Sequence, residues 1–279
     1  MTNDEQIKEM VKQKYGEIAL QDKESGGCGC GTNCCSSEPY TMMSEDYSQL
    51  DGYNPDADLG LGCGLPTQFA NIRKGDVVID LGSGAGNDCF VARAETGDKG
   101  KVIGIDFTPA MIEKARINAE KRGFNNVEFR QGDIEKMPVG GNSVDVVISN
   151  CVLNLLPSKD KIFSEIFRVL KPNGHFCISD VVLAGELPEK LKEAAEMYAG
   201  CVSGAIRKER YMVEIFRAGF VQVKVAKETP IIIPDEILEK YMQPDELNKF
   251  KEGGAKILSI TVTGVKPVNG CNCGSSGCC

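Results

Sequence analysis

The stretch Asp76-Val-Val-Ile-Asp80-Leu-Gly82-Ser83-Gly84-Ala-Gly86-Asn87 decides the fold. A short, unbroken apolar run predicts a strand buried on both faces, as in a parallel sheet covered by helices. The three glycines that follow let the chain turn tightly and pass close to a ligand at the carboxyl edge of that sheet. Outward from this point the pattern alternates. A helix is expected over 88–95, a strand over 101–106, and a helix over 109–122 with Thr108 as N-cap and Pro109 in its first position. Strands follow at 127–130 and 144–149, then a helix over 160–170 that stops at Lys171-Pro-Asn-Gly174, then a strand over 175–180. Strand and helix alternating at this pace imply an α/β fold with a doubly wound, mostly parallel sheet. Upstream, Ile7, Met10, Val11, Tyr15 and Ile18 recur at helical spacing. A Gly- and Cys-rich loop (25–37) and a polar stretch to about Asp58 separate that helix from the sheet. Downstream, helices over 188–200 and 207–218 and strands over 221–226 and 257–265 make a C-terminal α+β region expected to cover the substrate.

The chain has 279 residues, 42% hydrophobic and 26% charged, the composition of an ordinary globular protein. A formal net charge of -8 opposes a nucleic-acid surface, which needs clustered Lys and Arg. The longest apolar runs, 77–81 and 144–149, are strand-sized, so no membrane span is expected. The polar start Met1-Thr-Asn-Asp-Glu-Gln does not read as a signal peptide, and a cytoplasmic location is the expectation. Thirteen cysteines are then out of proportion. In a reducing compartment that many thiols point to metal, metalloid or redox chemistry rather than disulfides. The single histidine, His175, excludes multi-histidine metal sites and reads as structural.

The glycine turn has the spacing Gly-x-Gly-x-Gly, with Asn87 where a dinucleotide fingerprint would have its third glycine. It resembles the turn that opens the sheet of class I methyltransferases, whose Rossmann-like fold binds S-adenosylmethionine. Three further positions agree. Asp106 ends the second strand, where a carboxylate can accept hydrogen bonds from both ribose hydroxyls. Asp133, with Ile134, follows the third strand, where these enzymes place an acid at the adenine amino group. Arg168-Val-Leu-Lys-Pro-Asn-Gly174 is similar to the approach to their matching strand. On this reading Asp80, Gly82, Ser83, Gly84, Gly86, Asn87, Asp106, Phe107, Asp133, Ile134 and Asn150 form the S-adenosylmethionine site. No obligatory metal cofactor is expected.

Among the cysteines, Cys89 and Cys177 fall within a helix and a strand and read as core. Cys151 directly follows the fourth strand at the ligand-bearing edge, where a packing role and a role towards the methyl donor both fit. Cys63 lies between glycines in Leu61-Gly-Cys-Gly-Leu-Pro66, a backbone able to approach another group closely, just before a helix expected at Pro66. Cys201 sits in the small-residue segment Tyr198-Ala-Gly-Cys-Val-Ser-Gly-Ala205, placed to fold back over the site. Three isolated thiols do not have zinc spacing. Soft thiolates favour a soft, thiophilic centre, and trivalent arsenic, with a lone pair to take up a methyl group, meets these conditions.

At these residues the chain resembles arsenite methyltransferases. The resemblance rests on Tyr15-Gly16, Cys34-Cys35, Gly62-Cys63-Gly64-Leu65, Asp80-Leu-Gly-Ser-Gly with Asn87-Asp88-Cys89, Ser149-Asn-Cys-Val-Leu-Asn-Leu155, and Gly200-Cys201 with Gly204-Ala205. It implies that Cys63, Cys151 and Cys201 hold As(III) during transfer. It further implies that Cys34 or Cys35 delivers arsenic, as arsenite or a glutathione conjugate, and forms a disulfide with Cys63 that thioredoxin or glutathione reduces. The chain departs from the family pattern at Gly60-Leu61, where many members carry aromatics, and at Gly200, where some carry Glu. The organisation expected is a capture segment over 1–58, a cofactor-binding domain over 59–182, a substrate-covering region over 183–267 and a tail over 268–279, in a monomer. The terminal clusters, Cys28 and Cys30 with Cys271, Cys273, Cys278 and Cys279, read either as dispensable tails or as arsenite-chelating pairs. Two rival readings share these features: methylation of a small organic acceptor with idle cysteines, and a thiol-rich sequestration protein.

Overall fold

A computed structural model of the chain describes residues 3–20, 45–185, 204–232 and 256–268, with isolated positions 239, 243, 245 and 248. Nine of the expected chemistry-bearing cysteines (28, 30, 34, 35, 201, 271, 273, 278 and 279) lie outside the described residues, as does the helix expected over 188–200.

Strand β1 (Val77–Leu81) is central, flanked by β2 (Lys101–Asp106) and β4 (Val144–Asn150). With β3 (Val127–Gln131), β5 (Leu170–Ala184), β6 (Val221–Ile231) and β7 (Lys256–Val265), the described strands form one sheet in the order β3-β2-β1-β4-β5-β7-β6. The first five run parallel and β7 lies antiparallel between β5 and β6. Chain order reverses between β1 and β4, so the crevice at their carboxyl ends is the natural ligand site.

Period-2 alternation sends side chains to two faces. Ile79, Leu81, Ile103, Ile105, Val147, Phe176 and Ile178 belong to a core shared with α5 (Lys159–Val169) and α6 (Lys208–Arg217). Val78, Val102, Val146, Ile148 and Cys177 belong to the core under α3 (Asn87–Thr96) and α4 (Pro109–Lys121). Edge-to-face ring contacts of Phe163 with Tyr211 and of Phe176 with Phe220 knit the first of these cores. The N-terminal helix α1 (Asn3–Leu20) packs on α4.

The described elements fall where the sequence pattern puts them, with four differences, the first being that β5 runs past 180 to Ala184, paired with β7. Lys171–Gly174, expected as a loop, belongs to the span of β5. Asn173 takes φ +64°, and reciprocal bonds from the Asn173 amide to the Lys266 carbonyl and back to Gly174 attach the turn to the end of β7. β6 runs on to Ile231 because β7 pairs with it along its whole length, absorbing register shifts near Gln222 (φ +52°). The helix expected at Pro66 is a single turn, α2 (Pro66–Phe69).

Candidate active site

The glycine turn runs from β1 into α3 with Gly82, Gly84 and Gly86 at φ +66°, +51° and +99°. A Cβ on Gly82 would lie 2.4 Å from the Val152 side chain, so a larger residue is excluded on both conformation and space. The turn is tied to β2, because the Gly82 and Ser83 amides donate to the Ile105 carbonyl at 2.7 and 3.0 Å. Asp106 closes the arrangement: Oδ2 accepts from the Gly84 amide at 3.0 Å and Oδ1 from the Thr108 amide at 2.8 Å. Thr108 therefore begins α4 without a side-chain cap of its own, its amide being held by Asp106.

A cleft of about 780 Å³ opens at this edge. Of the residues expected at the cofactor, Asp80, Gly82, Ser83, Gly84, Asn87, Asp106, Phe107 and Asn150 line it. Gly86, Asp133 and Ile134 do not. Gly86 precedes α3 as its N-cap, with no room for a Cβ beside Phe129 and Phe90. Ile134 is buried in the core beneath α5. Asp133 caps the short turn over 134–136 by accepting from the Glu135 amide, and Lys8 of α1 reaches both Asp133 and Glu135 at 2.7 Å. That ion pair spans 125 residues of sequence and holds α1 beside the cleft, into whose wall Val11 and Tyr15 project.

Cys151, which also lines the cleft, takes φ +59°, a left-handed backbone that a cysteine adopts at a cost of about 1–2 kcal/mol. Its amide donates to the Ser179 carbonyl at 2.8 Å, turning the chain off β4. Cys63 is threaded beside it. A Cβ on Gly62 would stand 2.6 Å from Asn150 Nδ2, and one on Gly64 2.6 Å from Ser179 Oγ, so both glycines are needed for the loop to reach the edge. The Cys63 amide donates to Asn150 Oδ1 at 3.0 Å, and its carbonyl accepts from Ser259 Oγ.

A buried polar cluster adjoins the two thiols. Tyr211 donates to Asp180 Oδ2 at 3.2 Å, and Asn154 Nδ2 donates to Asp180 Oδ1 at 2.8 Å. Burial, then Asp180, then the neighbouring Cys63 and Cys151 push the Tyr211 hydroxyl well above its ordinary range. Asp180 is itself raised to about 7 by burial, against the pull of Lys159 and its hydrogen bonds. The Cys63 loop and Cys151 thus flank Asn150, and both thiols act on the Tyr211 hydroxyl. Among the described residues no three His, Cys, Asp or Glu side chains gather as ligands.

The profile of the family described as "Methyltransferase domain" matches residues 72–219. An arsenite methyltransferase of Halobacterium salinarum is 43% identical over 94% of this chain and 67% of its own length. One from Aquipseudomonas alcaligenes is 32% identical over 91% of this chain and 70% of its own. The chain belongs to the arsenite methyltransferase family. The fold agrees. An arsenic(III) S-adenosylmethionine methyltransferase of Chlamydomonas reinhardtii superposes with a TM-score of 0.62 at 34% identity, covering 72% of this chain and 66% of the other.

S-adenosylmethionine is the cofactor of this family, and the cleft fits it. Ser83 Oγ is buried with no hydrogen-bond partner, a hydroxyl left for a ligand. Burial raises both Asp80 and Asp106, and Asp88 adds to the shift of Asp80; both carboxyls stand in the wall of the cleft. The one histidine lies away from the cleft wall, with His175 Nε2 2.5 Å from the Ala70 carbonyl. Sequence reasoning missed Tyr47, Asp88 and Val152 in the cleft wall. Asp88 was visible as the neighbour of Asn87, whereas nothing in the spacing marks Tyr47.

Proposed function

We propose that this chain methylates trivalent arsenic held by its own thiolates, with Cys63, Cys151 and Cys201 as the ligand set. The observation that carries the reading is the left-handed Cys151 in the wall of the cofactor cleft, with the Cys63 loop bonded to the adjacent Asn150. Each arsenic–oxygen bond of arsenite exchanges for an arsenic–sulfur bond as a cysteine gives up its proton and water departs. Soft sulfur suits this centre better than oxygen. The cofactor supplies a methyl group on a sulfonium sulfur, already a good leaving group. The protein's contribution is positioning: two thiols fixed at the sheet edge hold the arsenic lone pair towards the cleft, and no general base is required.

Asp80, Ser83, Asp106, Phe107 and Asn150 are the residues assigned to the cofactor, with Asp133 at the rim. Transfer uses the arsenic lone pair and leaves the centre pentavalent. Cys34 or Cys35, in a capture segment over 1–58, delivers the substrate and then joins Cys63 in a disulfide. The two thiols thereby give up two electrons that return the arsenic to the trivalent state, and thioredoxin or glutathione reduces the disulfide. Residues 183–267 cover the substrate, and the terminal cysteine pairs collect arsenite. A reducing cytoplasm and a monomeric state suit this chemistry. No helix among the described residues is long and apolar enough to cross a membrane.

The test is a methyl-transfer assay with labelled S-adenosylmethionine, arsenite and a thiol reductant, beside Cys151→Ser. Arsenite-dependent label that disappears in the variant supports the reading. Transfer unchanged without Cys151 overturns it in favour of a small organic acceptor.

A further inference from the structure

Tyr47 lies outside every motif of the sequence, yet its hydroxyl joins the cofactor cleft to the loop that carries Cys63. It donates to the Asp88 carboxylate at 2.9 and 3.0 Å and lies 3.2 Å from the Gly64 carbonyl. Asn150 completes the junction. Its Nδ2 donates to Tyr47 Oη at 2.5 Å and to the Gly64 carbonyl at 2.8 Å, while its Oδ1 accepts the Cys63 amide at 3.0 Å. The Cys63 amide and the carbonyl of the next residue, Gly64, are therefore held by this network. Tyr47, Asp88 and Asn150 also line the cleft.

We propose that Tyr47, with Asp88 and Asn150, is a positioning clamp that fixes the Cys63 loop relative to the methyl donor. The inference rests on the arsenic-methylating reading for its effect on turnover, but not for its effect on the loop.

The protonation states suit the role. Burial and the nearby Asp88 push the Tyr47 hydroxyl well up, so it remains a donor. Asp88 lies at about 6, raised by burial and held down by the Tyr47 and Asn150 bonds, so it is an ionised acceptor at neutral pH. The Tyr47 ring packs separately, against Leu65 and Val91, and Tyr47→Phe keeps that packing while removing the hydroxyl.

The experiment uses the full chain and its Tyr47→Phe and Asp88→Asn variants. Iodoacetamide labelling, read peptide by peptide, follows Cys63 with the core Cys177 as internal control, and no arsenic is present. Labelling of Cys63 is expected to quicken about tenfold in either variant while Cys177 stays as slow as in the wild type. The affinity for S-adenosylhomocysteine should hold within about threefold, with arsenite-dependent kcat down roughly 10–100-fold. The double variant should be no worse than the poorer single one, because the groups act as a unit.

Unchanged Cys63 labelling overturns the clamp, and so does a joint rise of Cys63 and Cys177, which would mean general loosening. A loss of cofactor affinity as large as the loss of kcat reduces Tyr47 to a cofactor contact and also overturns it. A wild type that does not turn over arsenite sinks the activity reading, while the labelling contrast still decides the clamp.

Discussion

Two pairs of cysteines, one at the sheet edge and one in the core between the sheet and helices α3 and α4, are equally hidden from solvent and differ in the backbone that carries them. Cys63 and Cys151 are 1% and 3% exposed, Cys89 and Cys177 both 0%. Cys89 sits in the first turn of α3 and donates to Asp80 at 3.3 Å; Cys177 sits mid-strand among aliphatic side chains. Burial, with Asp80 acting on Cys89 and Asp88 on Cys177, raises both thiols far above their ordinary value, so they stay protonated and inert. At the edge, Cys151 is held in a left-handed backbone, and Cys63 is threaded between two glycines that admit Asn150 and Ser179. Depth of burial therefore does not separate the two thiols proposed as ligands from the two in the core. The backbone around them does, because strain and close approach persist only where the surrounding structure enforces them.

The sharpest way to break this comparison is to treat the pairs alike. Cys63→Ser is expected to cut arsenite-dependent kcat/KM by about a thousandfold or more, as loss of a ligand to the reacting atom should. Cys177→Ser should keep kcat within about threefold while lowering stability by about 1–2 kcal/mol in urea unfolding, the cost of a hydroxyl in an apolar core. Equal losses of activity in both would remove the distinction.

The glycine turn offers a second, smaller contrast. Gly82→Ala places a Cβ 2.4 Å from Val152 at φ +66°, and should weaken S-adenosylhomocysteine binding about a hundredfold in calorimetry. Gly84→Ala meets nothing within 4 Å and carries only the strain of φ +51°, for which a loss of about tenfold or less is expected.

The smallest effect concerns the acid beside the edge thiols. Asp180 is raised to about 7 from its ordinary 3.8, so the folded state holds a proton that the unfolded chain releases. Its contribution to stability is full at low pH and fades as the pH rises towards 7. Relative to Asp180→Asn, the wild type should lose about 2 kcal/mol of unfolding free energy between about pH 5 and 6.5. A parallel pH dependence in the two proteins would mean that Asp180 titrates normally.

How legible the molecule is in its sequence depends on how local the cause is. The apolar run before Gly82 and the Pro109 start of α4 act on their own neighbours, and both elements stand where the pattern places them. The Gly–Cys–Gly piece announced a close approach but not its partners, because Asn150 and Ser179 lie 87 and 116 positions beyond Cys63. Asp133 carried the right residue type for an adenine contact, yet its ion pair depends on Lys8 from a helix 125 residues away. Tyr47 was illegible for the same reason: its hydroxyl bonds close a circuit through Asp88, 41 residues on, and Asn150, 103 residues on.

The alternation of strands and helices and the ligand-bearing edge were legible in the sequence alone, and its cysteines prompted the thiolate proposal. These follow from residue type, period and turn preference, which are properties of short stretches of chain. The tertiary structure alone set which thiol lines the cleft, which carboxyls are buried there and which side chains hold the Cys63 loop. Those depend on hydrogen bonds and exclusion of water between segments far apart in the chain, and such contacts leave no period in the sequence to read.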